Sequence, residues 1–281
     1  MSADALAVRH LDATRGSFHL RDVSFELPTG FVMGFVGPNG AGKTTTIRCL
    51  LGMLAADAGE IEVLGRRLPT APDLRQDVGV VLDHPYLVGE WRVEYVQRAL
   101  RPFYNHWDAA RYAQLLDAFH LDPGAQVKQL SRGQGMKLMI AVALSHGARL
   151  LVLDEPTSGL DPGARDELVG ILGDFLTDGE HSVLFSTHIT TDLERIADYV
   201  TVIDGGRVVA SSTKDELLDS FRMVRGGPDD LPDPAGLMGL RRTTTGVEAL
   251  ARTEDLARLD GDLLVEVPTL DQLVVKMGAH S

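Results

Sequence analysis

Hydrophobic positions follow two different periods along this chain. Over residues 6–27 they alternate. Leu6, Val8 and Leu11 fit one strand, and Val23, Phe25 and Leu27 a second, whose opposite face carries Asp22, Ser24 and Glu26. Residues 31–36 are a continuous apolar run of the kind buried on both faces of a sheet. Residues 45–54 then switch to helical spacing through Ile47, Leu50, Leu51 and Leu54. Residues 55–59 read as a turn, 60–68 as a short hairpin about Gly65, and 78–82 as a further strand ending on Asp83. From about His84 to His146 the texture is helical. Val93, Val96, Leu100 and Phe103 form one stripe, residues 109–119 a second helix, and Tyr86, Trp91, Tyr104 and Trp107 supply a small aromatic core. Strand patterning resumes at 150–153. A helix over 164–176, a strand over 183–186, a helix over 189–197 and a hairpin over 200–210 with Gly205-Gly206 at its tip follow.

The pattern therefore predicts an α/β core with an N-terminal antiparallel β part, interrupted by a helical insertion over about 84–146. Residues 215–221 predict a helix. Residues 226–239, rich in Pro, Gly and Asp, predict a linker that closes a main domain over 1–225. The remaining 240–281 read as a small accessory region, with a helix over 247–259, a strand over 263–267 and a capped helix over 269–277.

Composition narrows the class. The 281 residues carry a formal net charge of −13, with 44% hydrophobic and 24% charged side chains. That balance is ordinary for a globular chain, and it offers no basic face for nucleic acid, so no nucleic-acid partner is expected. The single cysteine, Cys49, excludes an internal disulfide and fits a reducing compartment. The first residues show no basic-then-apolar leader pattern, and no apolar run approaches the roughly 18 residues of a spanning helix.

The chemistry centres on Gly37-Pro38-Asn39-Gly40-Ala41-Gly42-Lys43-Thr44-Thr45, which fits G-x-x-x-x-G-K-[ST] between a strand and a helix. Glycines let such a loop turn its N–H groups toward an anion, and the following helix adds its positive end. Lys43 supplies a charge to the outer phosphates, and the Thr44 hydroxyl suits Mg2+. Nucleotide binding, with Mg2+, is expected here. The strand at 150–153 delivers two carboxylates, Asp154 and Glu155. The first suits the metal, and the second suits a general base acting on water.

Leu130-Ser131-Arg132-Gly133-Gln134 resembles the signature loop of the ATP-binding cassette (ABC) family, usually Leu-Ser-Gly-Gly-Gln. Ser158-Gly159-Leu160-Asp161 resembles its D-loop, and Thr187-His188 its switch histidine. With the phosphate loop and Asp154-Glu155, these stand in the family's order over roughly residues 5–220, and the chain is identified as a member. Asp154-Glu-Pro-Thr-Ser-Gly-Leu-Asp-Pro162 and Leu184-Phe-Ser-Thr-His188 read like ATP-binding subunits of bacterial exporters.

The resemblance implies a P-loop NTPase cassette that powers transport, most simply export. It would work at the cytoplasmic side of a membrane through separate transmembrane permease subunits. Two copies, identical or different, would pair head to tail. Each ATP would lie between one phosphate loop and Ser131, Gly133 and Gln134 of the other copy, with His188 at the γ-phosphate and Lys43, Glu155 and His188 carrying the chemistry. A soluble cassette ATPase acting on ribosomes or DNA is the competing reading. Such proteins usually carry two cassettes in one chain or a long coiled-coil insertion, which this sequence lacks. Two departures stand out. The family's glutamine after the hairpin region is replaced by Asp83, expected to serve the metal site or else to cap a turn. The aromatic that stacks on adenine has no clear counterpart, leaving Phe18 or the Arg15 guanidinium. The tail is expected to stand apart from the nucleotide site, so that a chain ending near Arg225 keeps ATP binding.

Overall fold

In the computed structural model, which describes residues 4–68, 74–83, 86–228, 230, 236–259 and 262–278, the alternating N-terminal segment forms two long antiparallel strands. These are β1 (Asp4–Arg15) and β2 (Phe18–Pro28). Leu6, Val8 and Leu11 are all buried although their spacing breaks strict alternation. An irregularity in the pairing between Val8 and Leu11 restores the inward face. β3 (Val32–Val36) leads through the glycine loop into α1 (Lys43–Leu50). This helix starts two residues before the expected position and stops at Leu50, because Gly52 adopts positive φ (66°) as a left-handed stop. Met53 beyond it is left 61% exposed. β4 (Ala58–Val63) and β5 (Arg66–Arg67) complete an antiparallel sheet of order β2-β1-β4-β5.

A single turn, α2 (Leu74–Asp77), precedes β6 (Val78–Val81). The helical insertion holds α3 (Val93–Leu100), α4 (Ala109–Ala118) and α5 (Arg132–Leu144). His84, where it was expected to begin, lies outside the described residues. Then come β7 (Leu150–Asp154), α6 (Pro162–Phe175), β8 (Ser182–Thr187), α7 (Thr191–Ile196), β9 (Tyr199–Asp204), β10 (Arg207–Thr213) and α8 (Lys214–Asp219). The central sheet runs β10-β9-β3-β8-β7-β6, parallel except for β10. Every residue of β3, β7 and β8 is buried, as expected of strands covered on both faces. One core lies between this sheet and the antiparallel sheet, built from Leu6, Phe25, Phe35, Ile47 and Leu184. The other lies on the helical side, built from Tyr112, Leu138, Leu168 and Leu193 among others. The loops at the ends of β3, β7 and β8 emerge together, where open parallel sheets place their sites.

The C-terminal part corrects the sequence expectation. β11 (Phe221–Gly226), β12 (Leu237–Arg242), β13 (Val247–Arg252) and β14 (Leu264–Glu266) form an antiparallel sheet of order β12-β13-β11-β14, followed by α9 (Leu270–Gly278). The helix expected over 247–259 is β13 plus a 3-10 turn, Thr253–Arg258. Ala249, Leu250 and Ala251 favour helix locally. Pairing with β11 and β12 buries all three, and that outweighs propensity. The helix expected over 215–221 ends at Asp219, because Phe221 enters β11. The boundary expected at 225 falls inside β11, and β12 begins within the expected linker, of which residues 229 and 231–235 lie outside the described residues. Among the described residues no helix is long and apolar enough to cross a membrane.

Candidate functional site

The loop between β3 and α1 is shaped by its glycines. A Cβ on Gly37 would lie 2.0 Å from the Ile203 carbonyl oxygen, and Gly42 sits at φ 118°, a conformation closed to side chains. Gly42 is also the N-cap of α1, and no side chain caps that helix, so its first-turn N–H groups face the loop. Beside the loop opens a cleft of about 490 Å3, lined by Arg15, Phe18, Lys43, Thr44, Asp83 and Glu155 among others. Asn39, Gly40, Gly42 and Thr45 also face it, while Gly37, Pro38 and Ala41 shape the loop from outside the lining. Arg15 and Phe18 are paired across the β1–β2 turn, so both candidates for the base-stacking role stand at the same wall.

The polar groups converge from three strand ends. Lys43 is 6% exposed and its Nζ donates to the carbonyls of Gly37 (2.7 Å) and Pro38 (3.2 Å), with Glu155 Oε1 at 3.5 Å. Burial pulls the Lys43 ammonium below its ordinary pKa, and Glu155 and Asp154 oppose that shift. Asp154, at the end of β7, is fully buried. Its two oxygens accept from Thr44 Oγ1 (2.8 Å) and Ser186 Oγ (2.9 Å). Burial pushes its carboxyl above the ordinary value; the two hydroxyls counter this, and the charges of Asp83 and Glu155 add to it. Glu155 occupies the left-handed region at φ 54°, a strained setting for a non-glycine residue that turns its carboxylate from the sheet into the cleft. Its N–H donates to the Ser186 carbonyl, which ties β7 to β8 at this point. Glu155 Oε2 in turn accepts from His188 Nδ1 (2.8 Å) and, more weakly, from Thr187 Oγ1 (3.4 Å) and His188 N (3.4 Å).

Lys43, Thr44, Asp83, Asp154, Glu155 and His188 are thus gathered by one set of loops. Ser131, Gly133 and Gln134 are not. They open α5 at a separate place, where Ser131 Oγ accepts from Gln134 N (3.2 Å) and Gln134 Oε1 accepts from Ser131 N (3.0 Å), a reciprocal cap. Arg132 at the third signature position reaches Ser158 Oγ (3.1 Å) and packs along Gly159, which links the signature loop to the segment after Glu155. Sequence reasoning did not single out Ser186 or this Arg132 contact. Ser186 meets Asp154 because β7 and β8 are adjacent, and Arg132 meets Ser158 because the start of α5 lies beside the loop after β7; no local motif encodes either contact. α9 lines a second cavity of about 260 Å3 together with Gly37, Pro38, His188 and Thr190, so the tail reaches the site's edge.

The donor set suits a nucleotide with a divalent ion. A glycine-rich cradle lies at a helix start, the buried Lys43 cation faces it, and hydroxyl and carboxylate oxygens stand together at its edge. Comparison with known proteins points the same way. A family model described as ABC transporter matches residues 20–158. A Nod factor export ATP-binding protein I of Burkholderia orbicola is 37% identical over 248 residues, covering 84% of this chain and 80% of that protein. Its counterpart in Cupriavidus pinatubonensis is 36% identical over 207 residues, covering 72% of this chain and 63% of its own length, so the match spans less than two thirds of that relative. A solved ATP-binding subunit of an ABC transporter superposes with a TM-score of 0.69 at 31% identity, over 76% of this chain and 91% of that one. A dimeric bacterial ABC transporter cassette shares the fold at 20% identity, with a TM-score of 0.66 over 74% of this chain and 98% of that one.

Proposed function

The chain belongs to the ABC transporter family, and on that premise we propose that it is the ATP-hydrolysing subunit of an exporter, acting on separate membrane-spanning subunits from the cytoplasmic face. The observation that carries the reading is the placement of Glu155. Its strained backbone holds one carboxylate between the phosphate-loop cation Lys43 and His188, 3.5 Å and 2.8 Å away. A carboxylate so held is fit to take a proton from water at the γ-phosphate. Water oxygen would bond to the γ-phosphorus as the bond to the β–γ bridging oxygen breaks, leaving ADP and phosphate. Lys43 would offset the charge gathering on the phosphate oxygens, and His188 would hold the carboxylate in place. Thr44 and Asp154 would hold the Mg2+ that accompanies ATP, with Asp83 beside them; the ion neutralises phosphate charge when bound. Phe18 or Arg15 would cover the base.

Because Ser131, Gly133 and Gln134 stand away from the cleft, a single copy leaves them without a phosphate to meet. This supports pairing of two copies so that each signature loop completes the other's site, and the dimeric form of a fold relative is in keeping with it. The names of the curated relatives favour export as the direction. For the membrane partner, the structure offers a groove of about 280 Å3 between Leu51, Met53 and Val80 of the core and Tyr86 and Tyr104 of the insertion. Met53 and Tyr86 are exposed there, and Tyr86 donates to the Val80 carbonyl at 3.1 Å. β6 forms part of its wall and ends two residues before Asp83, so a segment seated in the groove would press on the nucleotide cleft. The test is phosphate release from ATP by the purified chain, with Lys43→Ala as control, followed by fractionation of cells with and without a co-expressed permease. ATP turnover with permease-dependent membrane recovery supports the reading. Turnover with ribosome or DNA association instead would overturn it.

A further inference from the structure

α9 is joined to two parts of the molecule at once. Its apolar face, Leu270, Leu273, Val274 and Met277, is buried in the same core cluster as Leu193 of α7. Its Lys276 Nζ donates back to Gly239 O (2.9 Å) and Glu248 Oε1 (3.0 Å) of the C-terminal sheet. The helix therefore bridges that sheet and the segment after the switch histidine.

Two polar contacts fix the second junction. Thr190 stands at the N-cap of α7, where a hydroxyl ordinarily accepts from its own helix, yet it makes no such bond. It is 2% exposed, and its Oγ1 donates instead to Asp271 Oδ1 at 3.2 Å. In the opposite direction, Glu194 Oε1 of α7 accepts from the Leu270 N–H at 3.1 Å, satisfying a donor of the first turn of α9. Two residues before Thr190 comes His188, whose ring holds Glu155, and the same short segment lines the 260 Å3 cavity with Asp271 and Val274. The linkage runs from Asp271 through Thr190 to His188 and Glu155.

We propose that Asp271 is a positioning residue for the hydrolytic site: through Thr190 it clamps the segment carrying His188, so that the C-terminal unit sets how firmly Glu155 is held. The role rests on the assignment of Glu155 as the proton acceptor. A small polar contact is enough for this because the segment is short. Loosening its far end frees the histidine without touching nucleotide contacts, so the effect falls on kcat and leaves KM for ATP alone.

The experiment uses the full chain and the variants Asp271→Ala, Asp271→Asn, Thr190→Val and Asp271→Ala/Thr190→Val. Removing one hydrogen bond of this kind should lower kcat about threefold to tenfold with KM unchanged. Asp271→Asn keeps an acceptor and should restore most of the rate. The double variant should be no slower than the slower single one, since both break one linkage. Hydrogen exchange of the backbone amides of residues 189–194, measured without nucleotide, should accelerate in Asp271→Ala while those of β7 stay protected. That measurement needs no turnover, so a wild-type chain that does not hydrolyse ATP would defeat the ATPase assignment and leave the clamp standing or falling on exchange alone. Unchanged exchange at 189–194, additive losses in the double variant, or a rate loss that follows the unfolded fraction would overturn the proposal.

Discussion

Replacing Glu155 by Gln tests the site at its centre. The amide is nearly isosteric and keeps one oxygen acceptor, so the bond from His188 Nδ1 at 2.8 Å can survive, and the left-handed backbone is unaffected. What is lost is the capacity to take a proton. Positioned general bases contribute about 10^2- to 10^4-fold, so kcat should fall by that factor, about 3–5 kcal/mol in barrier height. A second consequence follows from Lys43. Glu155 is the chief influence opposing the burial-driven lowering of its pKa, so the variant leaves the ammonium less supported. Phosphate on ATP replaces that support, and nucleotide should then stabilise the variant against heat more than it stabilises the wild type. The assays are phosphate release under saturating ATP, thermal unfolding with and without nucleotide, and size-exclusion chromatography with ATP, where an ATP-bound pair should accumulate. Turnover within about threefold of wild type would refute the assignment of Glu155 as base, because among the described residues no other carboxylate contacts both Lys43 and His188.

Asp83→Gln and Asp83→Ala should both lessen the dependence of ATP affinity on Mg2+, measured by titration with and without the ion. Equal metal dependence in all three proteins would reduce Asp83 to a turn residue. Asp154→Asn should abolish turnover yet raise the unfolding temperature near pH 8, because the buried carboxylate, with its pKa raised by burial, is ionised at a cost there. The gain should shrink as pH falls from the raised native pKa toward 3.8 and vanish only below 3.8, where the wild-type group is protonated in both states. Ending the chain after Arg225 should destabilise it strongly, since the burial of Leu270, Leu273, Val274 and Met277 contributes about 6–12 kcal/mol, comparable with a whole domain's stability; circular dichroism of the truncated chain checks this. Met53→Asp with Tyr86→Asp should leave the isolated ATPase rate unchanged while removing permease-dependent membrane recovery.

The core was legible because its signals are local. Continuous apolar runs marked β3, β7 and β8, where both faces are covered, and alternation marked β1 and β2. The glycine loop could be read to the residue because its backbone admits nothing else at Gly37 and Gly42. The C-terminal sheet was not legible for the opposite reason. Its small core rests on residues such as Ala249 and Ala251, and β11 pairs with β13 and β14 at positions 21 to 43 residues away. A stretch reading Val-Glu-Ala-Leu-Ala-Arg carries helix formers, and only its partners make it a strand.

The site divides along the same line. Residues that act through backbone shape or sit at strand ends announce themselves: Lys43 and Thr44 by the loop, Asp154 and Glu155 by the apolar strand before them. Residues that act by holding another side chain do not announce themselves locally, and His188 was picked out only through the family resemblance. Ser186 fixes Asp154 from the next strand, Arg132 fixes Ser158 across 26 positions, and Asp271 fixes Thr190 across 81. Each is a polar group of common type, and only the fold selects its partner. A carboxylate strained into the cleft at φ 54° has little freedom of its own, so the firmness of its neighbours is where the rate can be tuned. Attaching one of those neighbours to a C-terminal sheet, through a helix that the sheet also grips by Lys276, gives that tuning a handle well outside the nucleotide cleft.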